Sequence, residues 1–295
     1  MPVVASTRTG PSPAGRSAGA QPARAAASAP ARRMQGIVKK GCFDTSKRIV
    51  LTSEMSTRKP PSSAARPRAL SAAGEDCLKT LYSRQAEGER APVSTGRLAG
   101  WLGVSPSTAT AMIQSLAAEG WLHYEPYRGA RLSPRGHAAG ARILRRHRLV
   151  EALLVEVLGL DWSEVHAEAE LLEHALSDRL ADRIEEVLGH PQVDPHGDPI
   201  PDRDGKTPRL ALRSLLECAE GERVVLLRVA DQQPRFLENL SRLGLRPGSH
   251  LHLLRHDEAA DTVTLTVGAL GPLSLGRRVA ARLLVAREGD GAGPE

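Results

Sequence analysis

Several residue types are scarce in this 295-residue chain, and each shortage argues against a class of protein. Aromatic residues make up only 3% of the chain, so Leu, Val and Ala must fill any core. No apolar run approaches the roughly 20 residues that a membrane-spanning helix needs, and no compact apolar segment near the N-terminus indicates a secretion signal. The three cysteines are far apart, which argues against a disulfide framework and predicts a reducing, cytoplasmic location.

Charge is distributed unevenly along the chain. Residues 1–70 carry 13 Lys or Arg against 2 Asp or Glu, and residues 71–150 carry 11 against 6. Residues 151–210 reverse the balance, with 5 basic against 15 acidic residues. A basic block suits the phosphates of a nucleic acid, and an acidic block suits cations. The asymmetry taken alone is equally compatible with solvated surfaces.

The first part of the chain, residues 1–72, is rich in Ala, Pro, Ser and Arg and has few large apolar residues. Such a segment cannot bury enough surface to offset its ordering entropy, so we predict a disordered basic tail. A second short disordered tail is expected over residues 289–295. Met34 and Met55 are both candidate translation starts. We hypothesise that much of the first 54 residues does not belong to the natural protein, which mass spectrometry of the native N-terminus would test.

Residues 73–138 have the pattern of a winged helix-turn-helix DNA-binding domain. Helical spacing predicts a helix over Glu75–Gln85, followed by Thr95–Leu102, a Gly-Val turn, and a third helix from Ser105 to Glu119. Two short strands joined at Arg128-Gly129 would then form the wing. A helical hairpin of some unrelated fold would give the same helix-turn-helix pattern.

The predicted third helix offers small hydroxyl groups and an amide near its N-terminus, where such groups can contact phosphates and base edges. The predicted wing adds basic side chains. The candidate DNA-contacting residues are Ser105, Ser107, Thr108, Thr110, Gln114, Arg128 and Arg131. Because this helix is poor in arginine, we expect few direct base contacts and a contribution from DNA shape.

Residues 139–190 are acidic and mainly helical. The periodicity predicts helices over Pro134–Leu158, Ser163–Leu176 and Ser177–Leu188. His147 and Glu151 are four apart and share one face. One stripe of the next helix carries His166, Glu170, Glu173 and His174. Imidazoles and carboxylates without a thiolate suit Mn²⁺ or Fe²⁺, with Zn²⁺ also compatible. A surface hydrogen bond and a solvent-facing polar stripe are the ordinary alternatives.

The remaining residues divide into a linker and a β-rich domain. Five prolines between His190 and Pro208 predict a Pro-rich linker over residues 191–210. Residues 211–288 are predicted to form a small all-β barrel. Its expected strands lie at Glu222–Val229, Leu251–His256, Thr262–Val267 and within Ser274–Val285.

Taken together, these segments resemble one known family. The segment EDCLKTLY, the winged helix, the segment RHRLVEALLVEVLGLDWSEVHAEAELLEHALSD and the segment HPQVDPHGDPIP are similar to the diphtheria-toxin-repressor family of metal-dependent regulators. This match covers about residues 73–201, and LGLRPGSHL resembles the family's C-terminal SH3-like, FeoA-like domain. The resemblance implies a mainly α fold with a small β part: a winged helix-turn-helix, a helical metal-binding and dimerisation domain, and an SH3-like β-barrel.

The resemblance also implies a function and the residues that serve it. It implies a cytoplasmic homodimer, not an enzyme, that represses metal-uptake genes by binding a palindromic operator in double-stranded DNA when loaded with metal. The implied primary site is Asp76, Glu170, Glu173 and His174. The implied ancillary site is His147, Glu151 and His166. Carboxylates at Asp76 and Glu170, where the iron-responsive branch has Met and Cys, resemble the manganese-responsive branch, so Mn²⁺ is the expected metal and Fe²⁺ the alternative.

Two departures from the family pattern concern the metal sites. The manganese-responsive branch often has a Glu where this chain has Lys79, which argues against a two-metal cluster of that type. In the iron-responsive branch the SH3-like domain donates two ligands, and the matching positions here are Gln233 and Phe236. Because Phe236 cannot ligate, Gln233 or Asp231 is the remaining candidate.

Two other classes of function remain open at this stage. A metalloenzyme could use the His/Glu cluster for hydrolysis or redox chemistry, but it would need an open coordination position beside a general acid or base. A plain winged-helix regulator could use the acidic helices only as a dimer interface. Metal-dependent turnover in a protein that ignores DNA would favour the first, and absence of bound metal would favour the second.

Overall fold

The computed structural model describes residues 70–89, 91–208 and 210–289. The predicted basic tail therefore lies outside the described residues except for its last three positions, and the predicted C-terminal tail lies outside except for Gly289. The hypothesis about the natural start of the chain also falls outside them. The first helix begins at Ala72, three residues before the predicted start at Glu75.

The N-terminal part is the winged helix-turn-helix that the sequence predicts. Its elements are α1 (Ala72–Ala86), α2 (Thr95–Leu102), α3 (Pro106–Ala118), β1 (Leu122–Glu125) and β2 (Gly129–Leu132). Serines cap the three helices, and each accepts a hydrogen bond from a backbone N–H in the first turn. β1 and β2 pair antiparallel as the wing. Cys77, Leu81, Leu98 and Ile113, which are all fully buried, contribute to one core.

Three helices follow: α4 (Pro134–Glu156), α5 (Val165–Leu172) and α6 (Asp178–Val187). α4 packs closely on α1, since a Cβ on Gly140 would lie 2.6 Å from the Leu78 carbonyl oxygen. α5 ends four residues earlier than predicted, so Glu173 is its C-cap and His174 lies beyond it. The hydrogen bonding changes there, because the Ala175 N–H donates to the Leu172 carbonyl and the Leu176 N–H to the Glu173 carbonyl, three residues back rather than four.

The C-terminal part is an antiparallel sheet with two helices. Its strands are β3 (Arg213–Ser214), β4 (Arg223–Val229), β5 (His250–Asp257), β6 (Thr262–Val267), β7 (Leu273–Gly276) and β8 (Leu283–Arg287). They pair in the order β3-β8-β4-β5-β6-β7, and no pairing of β3 with β7 closes the sheet in the described residues. The helices are α7 (Pro234–Arg242) and the short α8 (Arg277–Ala280). The mainly α fold class with a small β part is confirmed, but the expectation of an all-β C-terminal part is wrong because α7 buries Leu237 and Leu240 on the sheet.

Residues 191–210 connect α6 to β3, but they are not the exposed tether that the prolines predict. Asp194, His196 and Asp198 are all buried, and Val193 pairs with Pro199 in an isolated bridge. Trp162, between α4 and α5, belongs to the core of the C-terminal sheet. The segment therefore packs between the helical and β parts. The other domain boundaries stay predictions.

No helix in the described part of the chain is long and apolar enough to cross a membrane. Cys77 and Cys218 are both buried and free, in line with the absence of a disulfide framework.

Candidate metal centre and nucleic-acid interface

Three predicted ligands from α4 and α5 converge on one point. His147 Nε2 lies 3.0 Å from Glu151 Oε1 and 3.1 Å from His166 Nδ1, and His166 Nδ1 lies 3.1 Å from Glu151 Oε1. Two ring nitrogens and a carboxylate oxygen at such mutual distances form one face of a coordination sphere. This donor set, without sulfur, fits a borderline or hard divalent ion. The i,i+4 spacing on α4 and the packing of α5 against α4 bring it about.

His147 and Glu151 of this triad shift each other's pKa values. Glu151 is completely buried and His147 nearly so. Burial lowers the pKa of His147, but the Glu151 carboxylate and hydrogen bonds to Glu151 and Glu173 outweigh it and raise the pKa to about 9. Burial raises the pKa of Glu151, but His147 and His166 hold it well below its ordinary value. A buried carboxylate thus requires a positive charge here, which protons supply in the metal-free protein and which a metal would supply after displacing them.

A second group of predicted ligands lies where α1 meets the end of α5. Asp76 Oδ1 is 3.2 Å from His174 Nε2, and Glu173 Oε1 is 3.7 Å from the same nitrogen. His174 Nδ1 is 2.7 Å from Glu75 Oε2, a contact that the sequence reasoning missed. The four predicted primary-site residues do not form one cluster. Glu170 groups with His147 and Glu173, and Lys79 Nζ contacts Glu170 Oε1 and Glu173 Oε1 at 2.7 Å each.

A third candidate group was missed by the sequence reasoning. Glu151, Asp194 and His196 are buried, and His196 Nδ1 lies 3.9 Å from both Glu151 Oε2 and Asp194 Oδ1. Glu151 Oε2, Asp194 Oδ2 and His196 Nδ1 lack hydrogen-bond partners among the described residues. Burial, with Asp198 next, raises the pKa of Asp194 well above its ordinary value. Glu151 Oε2 and His196 Nδ1 are orphaned next to Asp194, and this grouping fits a bound cation, although Arg148 Nε already lies 3.7 Å from Asp194 Oδ2. The PHGDP segment contains potential ligand residues, but only the tertiary fold places it against α4.

Gln233 borders one member of the histidine–glutamate triad, His166, across an outer cavity of about 610 Å³. It is the N-cap residue of α7, and its backbone N–H donates to Asp231 Oδ1. Its neighbour Gln232 lines the inner cavity of about 330 Å³ that contains His147, Glu151 and His166. Gln232 Nε2 donates to Asp198 Oδ2 at 2.6 Å. Both glutamines therefore border the triad, and Gln232 shares a cavity with all three of its residues.

The predicted DNA-contacting residues are mostly exposed. On α3 and its cap, Ser105, Ser107, Thr108 and Gln114 face solvent, while Thr110 is half-buried and donates to the Pro106 carbonyl. Ser105 is also the N-cap, so its Oγ accepts from the Thr108 N–H. In the wing, Arg128 and Arg131 are exposed, and Arg128 pairs with Glu125 at 2.9 Å. The exposed helix N-terminus and wing present the donors that phosphates require.

Three family models match successive parts of the chain. The model of the iron dependent repressor N-terminal DNA binding domain matches residues 69–130. The model of the iron dependent repressor metal binding and dimerisation domain matches residues 133–202. The FeoA domain model matches residues 213–287. The candidate ligand Asp76 thus falls in the first model, and the remaining histidine and carboxylate candidates fall in the second.

A diphtheria toxin repressor of Corynebacterium efficiens is 32% identical over 189 residues, which cover 60% of this chain and 80% of that protein. The chain belongs to the diphtheria-toxin-repressor family. The iron-dependent repressor IdeR of Mycobacterium bovis is 38% identical over 124 residues, which are 42% of this chain and 53% of that relative, so the match spans about half its length. A solved manganese-dependent transcriptional repressor in complex with manganese is 38% identical, with a TM-score of 0.66, and the likeness covers 73% of this chain and all of that one.

Membership of the diphtheria-toxin-repressor family confirms the resemblance read from the sequence. The relatives are named repressors that depend on iron or on manganese, so their names do not single out one metal for this chain. The roles of the individual ligand and DNA-contacting residues stay predictions.

Proposed function

We propose that this chain is a metal-responsive, DNA-binding transcriptional regulator, mainly a repressor of metal-uptake genes, and that Mn²⁺ is its metal. The observation that carries the proposal is the convergence of His147 Nε2, Glu151 Oε1 and His166 Nδ1 within 3.1 Å of one another. This triad lies in a chain that also carries an exposed winged helix. Family membership supports the same reading, and it disfavours a metalloenzyme.

The choice of manganese rests on donor chemistry. Asp76 and Glu170 supply carboxylates where sulfur ligands would favour softer ions, and hard oxygen donors suit Mn²⁺. The wider set proposed to hold metal comprises Asp76, Glu170, Glu173, His174, His147, Glu151 and His166. We add Asp194 and His196 to it on the strength of their orphaned buried atoms. Gln233 stays a predicted ligand, and its place beside His166 on the outer cavity supports it.

The positions of the candidate ligands suggest how metal binding could affect DNA binding. Asp76 lies on α1, which packs within the winged-helix core, whereas Glu173 and His174 follow α5. A bound divalent ion would be held by Asp76, Glu173 and His174. It would add to the charge of Lys79 in neutralising these carboxylates and would strengthen the link between α1 and the end of α5. We infer that this fixes the position of α3, so that the DNA-binding arrangement becomes the populated one.

A homodimer on a palindromic operator completes the proposal. Six of the ten large apolar side chains that are exposed in the described residues lie between Val157 and Val187. Apolar surface concentrated on one helical region marks an interaction site. Two copies joined there would present two α3 helices, which suits operator half-sites one helical turn apart or a multiple of it.

The decisive experiment is a metal-titrated binding assay on DNA from upstream of the chain's own gene, with Mn²⁺, Fe²⁺ and Zn²⁺ compared. We expect DNA affinity to rise with Mn²⁺ and to fall with added salt. Equal affinity with and without EDTA would contradict the proposal. A higher apparent DNA affinity with Fe²⁺ than with Mn²⁺ would support a metal-responsive regulator but would identify iron as its metal. The variant Glu170→Cys should shift the ranking towards softer metals.

A further inference from the structure

Lys79 is a buried ammonium group among the carboxylates of the metal centre. The residue is only 7% exposed, and its Nζ lies 2.7 Å from Glu170 Oε1 and 2.7 Å from Glu173 Oε1. Asp76 Oδ1 is 3.8 Å away. All three carboxylates belong to the candidate metal ligands. A side-chain cation therefore lies where acidic groups would otherwise need an external one.

We propose that Lys79 is a built-in cation of the metal centre, and that it makes the Asp76/Glu173/His174 group a weak metal site compared with the His147/Glu151/His166 triad. The inference rests on the proposed metal-responsive function and deepens it. It assigns Lys79 the role of setting how many divalent ions the centre holds and in which order they bind.

The shared oxygen of Glu173 explains the competition. Glu173 Oε1 accepts a hydrogen bond from Lys79 Nζ and also faces His174 Nε2 at 3.7 Å. A divalent ion held by Asp76, Glu173 and His174 would thus use an oxygen that the ammonium already neutralises, and it would lie beside a like charge. Like charges repel most strongly where burial reduces screening.

The triad meets less of this competition because none of its three donor atoms is hydrogen-bonded to Lys79. The ammonium donates to Glu170 Oε1 and Glu173 Oε1, whereas the triad uses Glu151 Oε1. Glu173 Oε2 lies 2.6 Å from His147 Nδ1, so Glu173 separates the ammonium on one oxygen from the imidazole on the other. His147 Nε2, Glu151 Oε1 and His166 Nδ1 point towards one another. We therefore expect the triad to fill first and the Asp76 group to fill only at higher metal concentration.

The test is calorimetric titration of the full chain with MnCl₂, in wild type and in Lys79→Gln. Removing the charge should tighten the weaker Mn²⁺ binding event at least about ten-fold, with the tighter event changed far less. Lys79→Met serves as a second neutral variant should Lys79→Gln not fold, and Lys79→Arg, which keeps the charge, should titrate like wild type. Mn²⁺ should also raise the thermal midpoint of Lys79→Gln more than that of wild type.

Arg145→Met is the matched control. Arg145 is also a buried cation with two carboxylate partners, Asp182 at 3.3 Å and Glu185 at 2.7 Å, but these partners lie on α6 and are not candidate ligands. This variant should lose stability without gaining Mn²⁺ affinity. Folded Lys79→Gln or Lys79→Met with unchanged or weaker second-site affinity would overturn the inference while leaving the proposed function intact. A wild-type protein that binds no Mn²⁺ at all would overturn the proposed function as well.

Discussion

His147 Nδ1 lies 2.6 Å from Glu173 Oε2, so one imidazole joins two groups of candidate metal ligands. The opposite ring nitrogen of His147 faces Glu151 and His166. Glu173 therefore has two roles, as a candidate ligand with Asp76 and His174 and as the residue that orients the His147 ring. A carboxylate that holds the far nitrogen of a ligating histidine sets its tautomer and raises its basicity.

The first prediction concerns Glu173→Gln. The amide no longer enforces the orientation of His147, so Mn²⁺ affinity at the His147/Glu151/His166 triad should fall by on the order of ten- to a hundred-fold. Glu168→Gln on the same helix is the control, because Glu168 is exposed. Calorimetric titration measures both. Loss of only the weaker binding event in Glu173→Gln would show that Glu173 does not support the triad.

The second prediction concerns the contact between the PHGDP loop and β4. A Cβ on Gly197, whose φ is +86°, would lie 1.8 Å from the Leu227 carbonyl oxygen. Gly197→Ala should therefore cost at least about 2 kcal/mol and displace Asp194 and His196. Gly159→Ala is the matched control, since Gly159 has a φ of +72° and no atom that its Cβ would meet within 4 Å. Urea unfolding that shows equal losses for both variants would contradict the role of the contact.

The ligands that sequence reasoning found are those set by local spacing. His147 and Glu151 are one helical turn apart, as are His166 and Glu170, and the structure keeps both pairs on α4 and α5. Helical periodicity depends only on neighbours in the chain, so it can be read directly. The position of His174 was predicted less well, because the chain leaves α-helical hydrogen bonding after Leu172 while the periodic pattern continues to Leu176.

The features that were missed depend on contacts between distant segments. Lys79 and Glu170 are 91 residues apart, and no local pattern predicts that their side chains meet. His196 reaches Glu151 only because the loop after α6 folds back on α4. α7 differs from these, because Pro234 at its start and Leu237 and Leu240 at helical spacing were readable signals.

The third prediction concerns DNA binding through the wing. Arg131 is exposed on β2 and is proposed to contact phosphate. Arg131→Ala should weaken binding to operator DNA and to unrelated DNA alike. It should also reduce the slope of log affinity against log salt by about one unit. Arg235→Ala, an exposed arginine on α7, should leave both unchanged. Fluorescence anisotropy over a salt series checks this. An unaltered slope for Arg131→Ala would contradict the proposed contact between Arg131 and phosphate.

The fourth prediction concerns the proposed dimer face. Leu180 on α6 is 51% exposed, and burial of such a side chain in an interface would contribute about 1.5 to 3 kcal/mol. Leu180→Asp should therefore shift the protein towards monomer and weaken binding to a palindromic operator. Leu270→Asp is the control, with a comparable exposure of 58% in the C-terminal part. Sedimentation velocity distinguishes them, and an unchanged dimer in Leu180→Asp would place the interface elsewhere.

The fifth prediction concerns acid sensitivity of the C-terminal sheet. Glu222 accepts hydrogen bonds from Arg213 and from Arg287, which together hold its pKa at about 2 against an ordinary value of 4.5. Because the folded pKa is depressed, the stabilisation is present above pH 4.5 and is lost as the pH falls towards 2. Glu222→Gln should reduce this dependence, whereas Glu258→Gln, at an exposed turn, should retain it. Thermal midpoints measured between pH 5 and pH 2 test this, and parallel curves for wild type and Glu222→Gln would show that the two arginines do not act through the Glu222 charge.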